Sequence, residues 1–473
     1  YCSAPEGKAE QTFTLTGVPR PMLNRVSKLY GSVDGELRQV MSNTSWLFVG
    51  RSARLLVSLL VGTWVARYLQ PEGFGSLQYA LAFVSFFSPL STVQMGPIVT
   101  RDLVRQPDQQ GEILGTAVGV QVVGGLGAIA LSILGIAWLA PDRPLVQLLV
   151  AIVALKYLFN SLQPIENWFE AQIASKYAVL AEQGAFLLVV ALKIALVLNQ
   201  APVTAFAAII ALEALVYALG LLLFYRRQGQ RVSTWRASLK RAIYLLKESY
   251  PLVLSSTACV LYISIDQVML GQMLDSTAVG IYASAATLSE ATSFLPIILC
   301  SSLFPGIVKA QGQGGGGYRR RLQRLYDLNT LMAYGLVAVL IPLSGVLILG
   351  LYGPAYRAAL PIFAVHIWST LFAFLGIAQS KWIVTEGLQI YNLYSRLAGL
   401  VSNILLNLWL IPIWGGLGAA VATLISYAIG GYLFFWCFRQ TRANAHLMTR
   451  ALALPLRLPQ LLYRWWITHL PSR

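Results

Sequence analysis

Residues 202–227 read PVTAFAAIIALEALVYALGLLLFYRR. From Pro202 to Tyr225 the only charge is Glu213, and the run stops at Arg226 and Arg227. A helix rises about 1.5 Å per residue and a bilayer's hydrocarbon core is about 30 Å thick, so this run is long enough to cross it. It shows no polar–apolar alternation and is too long for a strand, which argues against a β-barrel. Eleven further runs of this kind lie near 46–66, 75–98, 113–138, 145–163, 177–198, 250–270, 277–304, 328–351, 358–380, 391–411 and 415–438. Composition agrees: of 473 residues 56% are hydrophobic and 11% charged, against about 25% charged in a soluble domain. The expectation is an all-α integral membrane protein of about twelve transmembrane helices. Pro89, Pro296 and Pro342 interrupt helices in ways a membrane bundle tolerates.

The net charge of +16 invites a nucleic-acid reading, but its distribution opposes one. With both termini cytoplasmic, inside segments hold 27 of the 35 Lys and Arg residues. Outside loops hold Arg67, Arg143 and Arg357 alone. That bias satisfies the positive-inside rule and supports the even helix count. The basic loops are suited to anionic headgroups; nucleic acid is not an expected partner. Residues 1–40 are polar and do not read as a signal peptide. The chain begins at Tyr1, and Met22 or Met41 would serve as a start. Cys2, Cys259, Cys300 and Cys437 have neither metal-type nor disulfide spacing. The last three read as packing residues, and no cofactor or metal is expected.

The basic stretch at 226–249 divides the chain into an N-lobe, 43–225, and a C-lobe, 250–438, flanked by polar tails at 1–42 and 439–473. A short internal repeat falls in equivalent places: LQPEGFG at 69–75 and LDSTAVG at 274–280 each join the first two helices of a lobe. The 205-residue offset keeps both copies in one direction, which predicts parallel lobes about a central cavity. QGQGGGG at 311–317 lacks a following Gly-Lys-Ser/Thr and reads as a linker rather than a phosphate loop. No loop is large enough to hold a catalytic domain, so no enzyme is expected.

Charges inside the apolar runs mark candidate sites, since each costs about 2.5–3.5 kcal/mol at mid-bilayer on the lenient scale. Arg51 and Arg54 share a helix face with Ser58 and Gly62. With Lys156 and Arg396 they stand at similar expected depth in the inner half of the membrane. Convergent cations suit a phosphate-bearing ligand, because Arg presents a rigid fork of donors; snorkelling to headgroups is the plain alternative. Lys193 lies near an outer end. Glu213 and Glu290 near mid-depth, Glu182 one turn inside its helix and Asp266 near an outer end are ion-coupling candidates, against protonated or ion-paired structural roles. His366 reads as a packed, hydrogen-bonded residue.

Several stretches together resemble the polysaccharide, or O-antigen, flippases of the multidrug/oligosaccharidyl-lipid/polysaccharide exporter superfamily. They are NTSWLFVGRSARLL (43–56), ARYLQPEGFGSLQYA (66–80), YPLVLSS (250–256), IDQVMLGQML (265–274), VGIYASA (279–285) and NILLNLWLIPIWGGLGAAVATLISY (403–427). The resemblance implies two six-helix lobes that open alternately to either side of the bacterial inner membrane. It implies a lipid-linked oligosaccharide substrate, usually on undecaprenyl pyrophosphate, moved from the inner to the outer leaflet. It further implies partner glycosyltransferases and a polymerase, drive by an ion gradient, and cavity cations at the place of Arg51 and Arg54. The competing readings are an organic-cation exporter of the same superfamily, which an acidic cavity would suit, and a membrane polymerase or glycosyltransferase.

Overall fold

The computed structural model describes residues 35–312 and 316–457, with side chains from Arg54 onward. The expected tail at 1–34, Cys2, the Arg51 side chain, 313–315 of the glycine linker and 458–473 lie outside the described residues. Helices follow in the order α1 Gly35–Ser85, α2 Ser88–Thr92, α3 Gly96–Arg105, α4 Gln110–Leu139, α5 Pro144–Ala154, α6 Lys156–Asn160, α7 Pro164–Ala171, α8 Lys176–Leu198 and α9 Val203–Arg227. The second half contains α10 Leu239–Met273, α11 Ser276–Glu290, α12 Phe294–Gly312, α13 Gly316–Leu347, α14 Ala359–His366, α15 Ser369–Glu386, α16 Gln389–Trp414, α17 Gly416–Gly431 and α18 Arg439–Leu452.

Among the described residues ten helical runs are long and apolar enough to cross a membrane, eleven if the pair Arg54–Ser85 and Ser88–Arg105, bent by 46°, counts as one. The first two expected spans fall on α1 and its continuation. There the helix is broken at Gln70, whose φ of 57° and ψ of 170° are non-helical, just before Pro71. Large apolar side chains such as Trp138, Val123, Val346 and Trp409 are exposed on these helices. They make sense facing lipid, and not facing water.

By contact, the chain divides into a short unit, residues 1–58, and a large one, residues 59–473. Within the large unit one hydrophobic core joins both lobes at one end. Val65, Phe74, Tyr79 and Val146 from the first half pack there with Leu270, Tyr282, Tyr352, Tyr356 and Ile411 from the second. The repeated segments meet face to face here. A Cβ on Gly75 would lie 1.7 Å from the Ser276 carbonyl oxygen, and one on Gly280 would lie 2.0 Å from that of Pro71. Only glycine allows backbones to approach this closely. Polar bonds reinforce the join: Tyr356 Oη donates to Ala66 O (2.7 Å) and Arg143 to Gly271 O.

At the other end the cores are separate. Met95, Leu103, Ile113, Trp168, Leu221 and Leu245 form one; Cys300, Leu322, Tyr326, Trp382, Phe435 and Met448 form the other. The shared end includes the turns at 140–143 and 353–358, and the divided end those at 105–110, 171–176 and 386–389. Alternating breaks shape both lobes: the second span is interrupted near 86–87 in one and at 291–293 in the other, and the fourth near Leu155 and Ile367.

The basic stretch is only partly a loop. Residues 239–249 are the opening turns of α10, started by Ser238, whose Oγ accepts from Arg241 N. The preceding residues are docked on α4: Arg236 N donates to Gly111 O (3.1 Å), Ser238 N to Thr116 Oγ1 (3.0 Å) and Arg241 Nε to Glu112 Oε1 (3.0 Å). Leu245 joins the first lobe's core, Val268 and Leu270 the shared one, and Asp266 bonds to Asn407 and Thr423 of the second lobe, so α10 is rooted in both. In the C-terminal segment, α18 buries Asn444 and Met448 on α13, with Tyr326 Oη donating to Asn444 Oδ1 (2.8 Å). Of the cysteines, Cys300 is buried, Cys259 is half-buried and Cys437 is exposed, so Cys437 is not a packing residue.

Candidate functional site

The most enclosed polar cluster surrounds Asp266, on the last turns of α10, where 3% of the residue is exposed. Its Oδ2 accepts from Tyr282 Oη (2.8 Å) and Thr423 Oγ1 (2.6 Å), and its Oδ1 from Asn407 Nδ2 (2.5 Å). Asn407 Nδ2 also reaches Asn403 Oδ1 (3.0 Å), and Asn403 Nδ2 donates to Ser426 Oγ (3.3 Å). Helical spacing explains the convergence: Asn403 and Asn407 stand one turn apart on α16, as do Thr423 and Ser426 on α17. Among the described residues no basic side chain forms an ion pair with Asp266. Asn407 Oδ1 and the neighbouring His366 Nε2 are buried without partners. His366 is packed as expected, its Nδ1 2.5 Å from Ser289 Oγ.

The other acidic candidates are scattered. Glu290 ends α11 at its break and is exposed. Glu213, at mid-length of α9, is half-buried and close enough to Lys193 to interact electrostatically. Glu182 is an exposed residue of α8 in electrostatic reach of Glu166 and Tyr217.

The cationic candidates divide likewise. Arg54 is half-buried and belongs to the 1–58 unit. Lys156 stands at the break between α5 and α6, the middle of a span that runs from Pro144 to Ala171. It is thus deeper than its expected place two turns from an end. Its ammonium lies 5.3 Å from the Tyr157 ring centroid, and Tyr157 Oη is itself tied to Val84 O. Arg396 projects from the second turn of α16, donates to Cys259 Sγ (2.7 Å) and lines a cavity of about 240 Å³ with Tyr262, Gln379, Ser395 and Tyr427. Tyr262 Oη and Gln379 Nε2 are unpartnered. Lys156 and Arg396 face separate surroundings in opposite lobes.

One feature of the first lobe escapes the sequence reading. A polar cavity of about 650 Å³ opens between α2, α3, α4 and α7, lined by Thr92, Gln94, Gly96, Pro97, Thr100, Arg101, Gln121, Gln163, Glu166, Asn167 and Glu170. Val93 and Gln94 both have φ of 49°, a left-handed conformation costly for a β-branched residue, and such strain gathers at working sites. Gln121 Nε2 pins this turn by donating to Thr92 O (3.0 Å). Glu166 Oε2 accepts from Tyr217 Oη (2.8 Å) and Glu170 Oε2 from Thr100 Oγ1 (3.1 Å). Arg101 at the rim contacts Asp102 (3.0 Å) and reaches across to α10 at Glu248 (3.2 Å) and Tyr244 Oη (2.6 Å). The missed signal was PIENWFEA at 164–171, whose Glu166, Asn167 and Glu170 share a helix face. The expected run at 145–163 stops just short of it.

Comparison with known proteins agrees with this architecture. The fold is that of a two-lobed helical membrane transporter. A multidrug resistance MATE family transporter of the MOP superfamily, in its inward-facing conformation, matches with a TM-score of 0.65 at 12% identity, over 84% of this chain and 96% of that one. The inward closed conformation of the lipid II flippase MurJ matches with a TM-score of 0.64 at 12% identity, over 89% and 93%. The chain belongs to the polysaccharide biosynthesis protein family, whose match covers residues 40–311. A probable flippase, AglR of Haloferax volcanii, is 31% identical over 179 residues. That alignment spans 36% of this chain and 37% of the relative's length.

Proposed function

We propose that this protein is a flippase that moves an undecaprenyl-pyrophosphate-linked oligosaccharide from the inner to the outer leaflet of a bacterial inner membrane, by alternating access coupled to an ion gradient. The observation that carries the reading is the contrast between one shared core and two separate ones, the form of a machine that opens toward one side. Family membership and the likeness to a probable flippase support it. In this reading the divided end and both termini face the cytoplasm, an orientation that the charge bias supports. A sugar headgroup cannot cross lipid without losing hydrogen bonds, so it passes between the lobes while the prenyl tail stays in the bilayer.

In this reading Arg51, Arg54, Lys156 and Arg396 attract the pyrophosphate, the deepest of them being Lys156. Asp266 is the foremost coupling residue, ahead of Glu290, Glu213 and Glu182, because it is buried amid neutral donors. A bound proton or monovalent cation shifts the lobes only by its differential affinity for the two states. Glycosyltransferases and a polymerase would supply and consume the substrate on either side.

The test is transfer of a lipid-linked oligosaccharide in proteoliposomes, read by exposure of its sugar to an impermeant reagent. Wild type should transfer it under an imposed gradient, with Lys156→Ala and Arg396→Ala slowed by about tenfold or more, the loss of one charge-assisted contact of about 1.5–3 kcal/mol. A wild type that fails on a verified cognate substrate would sink the reading. The second reading, an organic-cation exporter, is favoured by Glu166, Glu170 and Glu182, which make the first lobe locally acidic. Gradient-driven efflux of ethidium from the same vesicles would establish it.

A further inference from the structure

We propose that the polar cavity of the first lobe is a carbohydrate subsite, which takes a sugar of the translocated headgroup. The inference rests on the flippase reading and specifies where the sugar binds. Two buried residues of this cavity's wall carry polar atoms with no partner. Gln121 is 1% exposed with Oε1 unpartnered, and Asn167 is 7% exposed with Nδ2 unpartnered. Each such atom costs about 1–3 kcal/mol unless something bonds it. One is an acceptor and the other a donor, and a sugar hydroxyl can serve as partner to either.

The rest of the wall has the same character. Gln163 adds a carboxamide, and Glu166 and Glu170 add acceptors already oriented by Tyr217 and Thr100. Gly96 leaves room for Asn167, since a Cβ there would stand 3.3 Å from Asn167 Oδ1. The volume is within the range of about 300–1,000 Å³ usual for small-molecule sites. The carboxylates alone would also suit a lipophilic cation, but such ligands need aromatic or apolar walls. No aromatic residue is among those lining this cavity, and Pro97 is the one apolar side chain of any size. The Cys259–Arg396 cavity of the other lobe, in contrast, has Tyr262, Phe372 and Tyr427 in its walls.

The experiment measures binding to the full-length protein in nanodiscs, with two probes: lipid-linked oligosaccharide extracted from the source cell, and undecaprenyl pyrophosphate carrying no sugar. Wild type should bind the glycosylated lipid more tightly. Gln121→Leu and Asn167→Leu should each weaken that binding about tenfold and leave the sugar-free lipid unaffected. Glu170→Gln, at an exposed position that does not threaten folding, should weaken it severalfold with the same selectivity. Thermal unfolding checks that each variant is folded. Equal affinity of wild type for both lipids, or unchanged selectivity in folded Glu170→Gln, would overturn the subsite while leaving the flippase standing. Wild type that binds neither lipid would remove the flippase reading and the subsite together. Ethidium binding that depends on Glu170 and is not displaced by glycosylated lipid would assign the cavity to a cation instead.

Discussion

The two ends of the large unit are built on opposite rules. Where the lobes join, glycines press backbone on backbone, Tyr356 and Arg143 donate across the boundary and one core serves both halves. Where they part, each lobe closes its own core, and the first lobe holds an arginine contact to the start of α10, a strained turn and a polar cavity. Close contact is made by removing side chains, and the looser contact by exposed polar groups.

The sharpest way to break this contrast is to add atoms at each end. Gly280→Val should cost about 3 kcal/mol or more, at the top of the overpacking range, because its Cβ would overlap the Pro71 carbonyl. Loss of monodisperse protein on heating would show it. Gly119→Ala on α4, with nothing within 4 Å of the new Cβ, should be neutral or stabilising by about 0.4–1 kcal/mol. Equal losses for both would mean that the joined end is not the tighter one.

Next in size is Asp266→Ala, which strands the donors of Tyr282, Thr423 and Asn407 at about 1–3 kcal/mol for each one left unpaired. Asp266→Asn should lose less, since an oxygen remains to accept. It should also abolish any rise in unfolding temperature that wild type shows with added sodium or lithium. At a hundredfold excess over Kd such binding stabilises by about 2.7 kcal/mol. A salt response that survives in Asp266→Asn would exclude this carboxylate as the ion site.

The smallest effect belongs to the divided end. Arg101 and Glu248 have side chains 34% and 42% exposed, so their pairing is screened. A double-mutant cycle with Ala at each should return about 0.2–1 kcal/mol. A coupling well above that would show the start of α10 to be fixed to α3 far more firmly than an exposed ion pair allows.

Much of the fold was legible because lipid imposes a simple demand, a long apolar run for each crossing. The repeat was legible too, since Gly75 and Gly280 are glycines for a steric reason that any sequence must meet. Asp266 could be seen as an anomaly in an apolar run, but its partners at 282, 407 and 423 come from other helices and leave no local pattern. Lys156 lies deeper than its apolar run suggests because the fourth span continues past Pro164. There Glu166 and Glu170 resemble a loop until Tyr217 and Thr100 are seen to bond them. Short-range patterning reports the solvent of a segment, and polar partnerships between helices are written at distances it does not reach.

The helix α10 has a mechanical consequence. It is a single shaft set into two bearings, Leu245 and Ser249 at one end and Ala258 to Leu270 at the other, with Pro251 between them. Proline offers no amide to the carbonyl four residues before it, so the shaft is weakest at that point. Any rocking of one lobe on the other has to be taken up there, in a few residues with their own bending stiffness. In the proposed alternating access, the compliance of that short length, and not the strength of any one contact, would set how fast the two halves trade places.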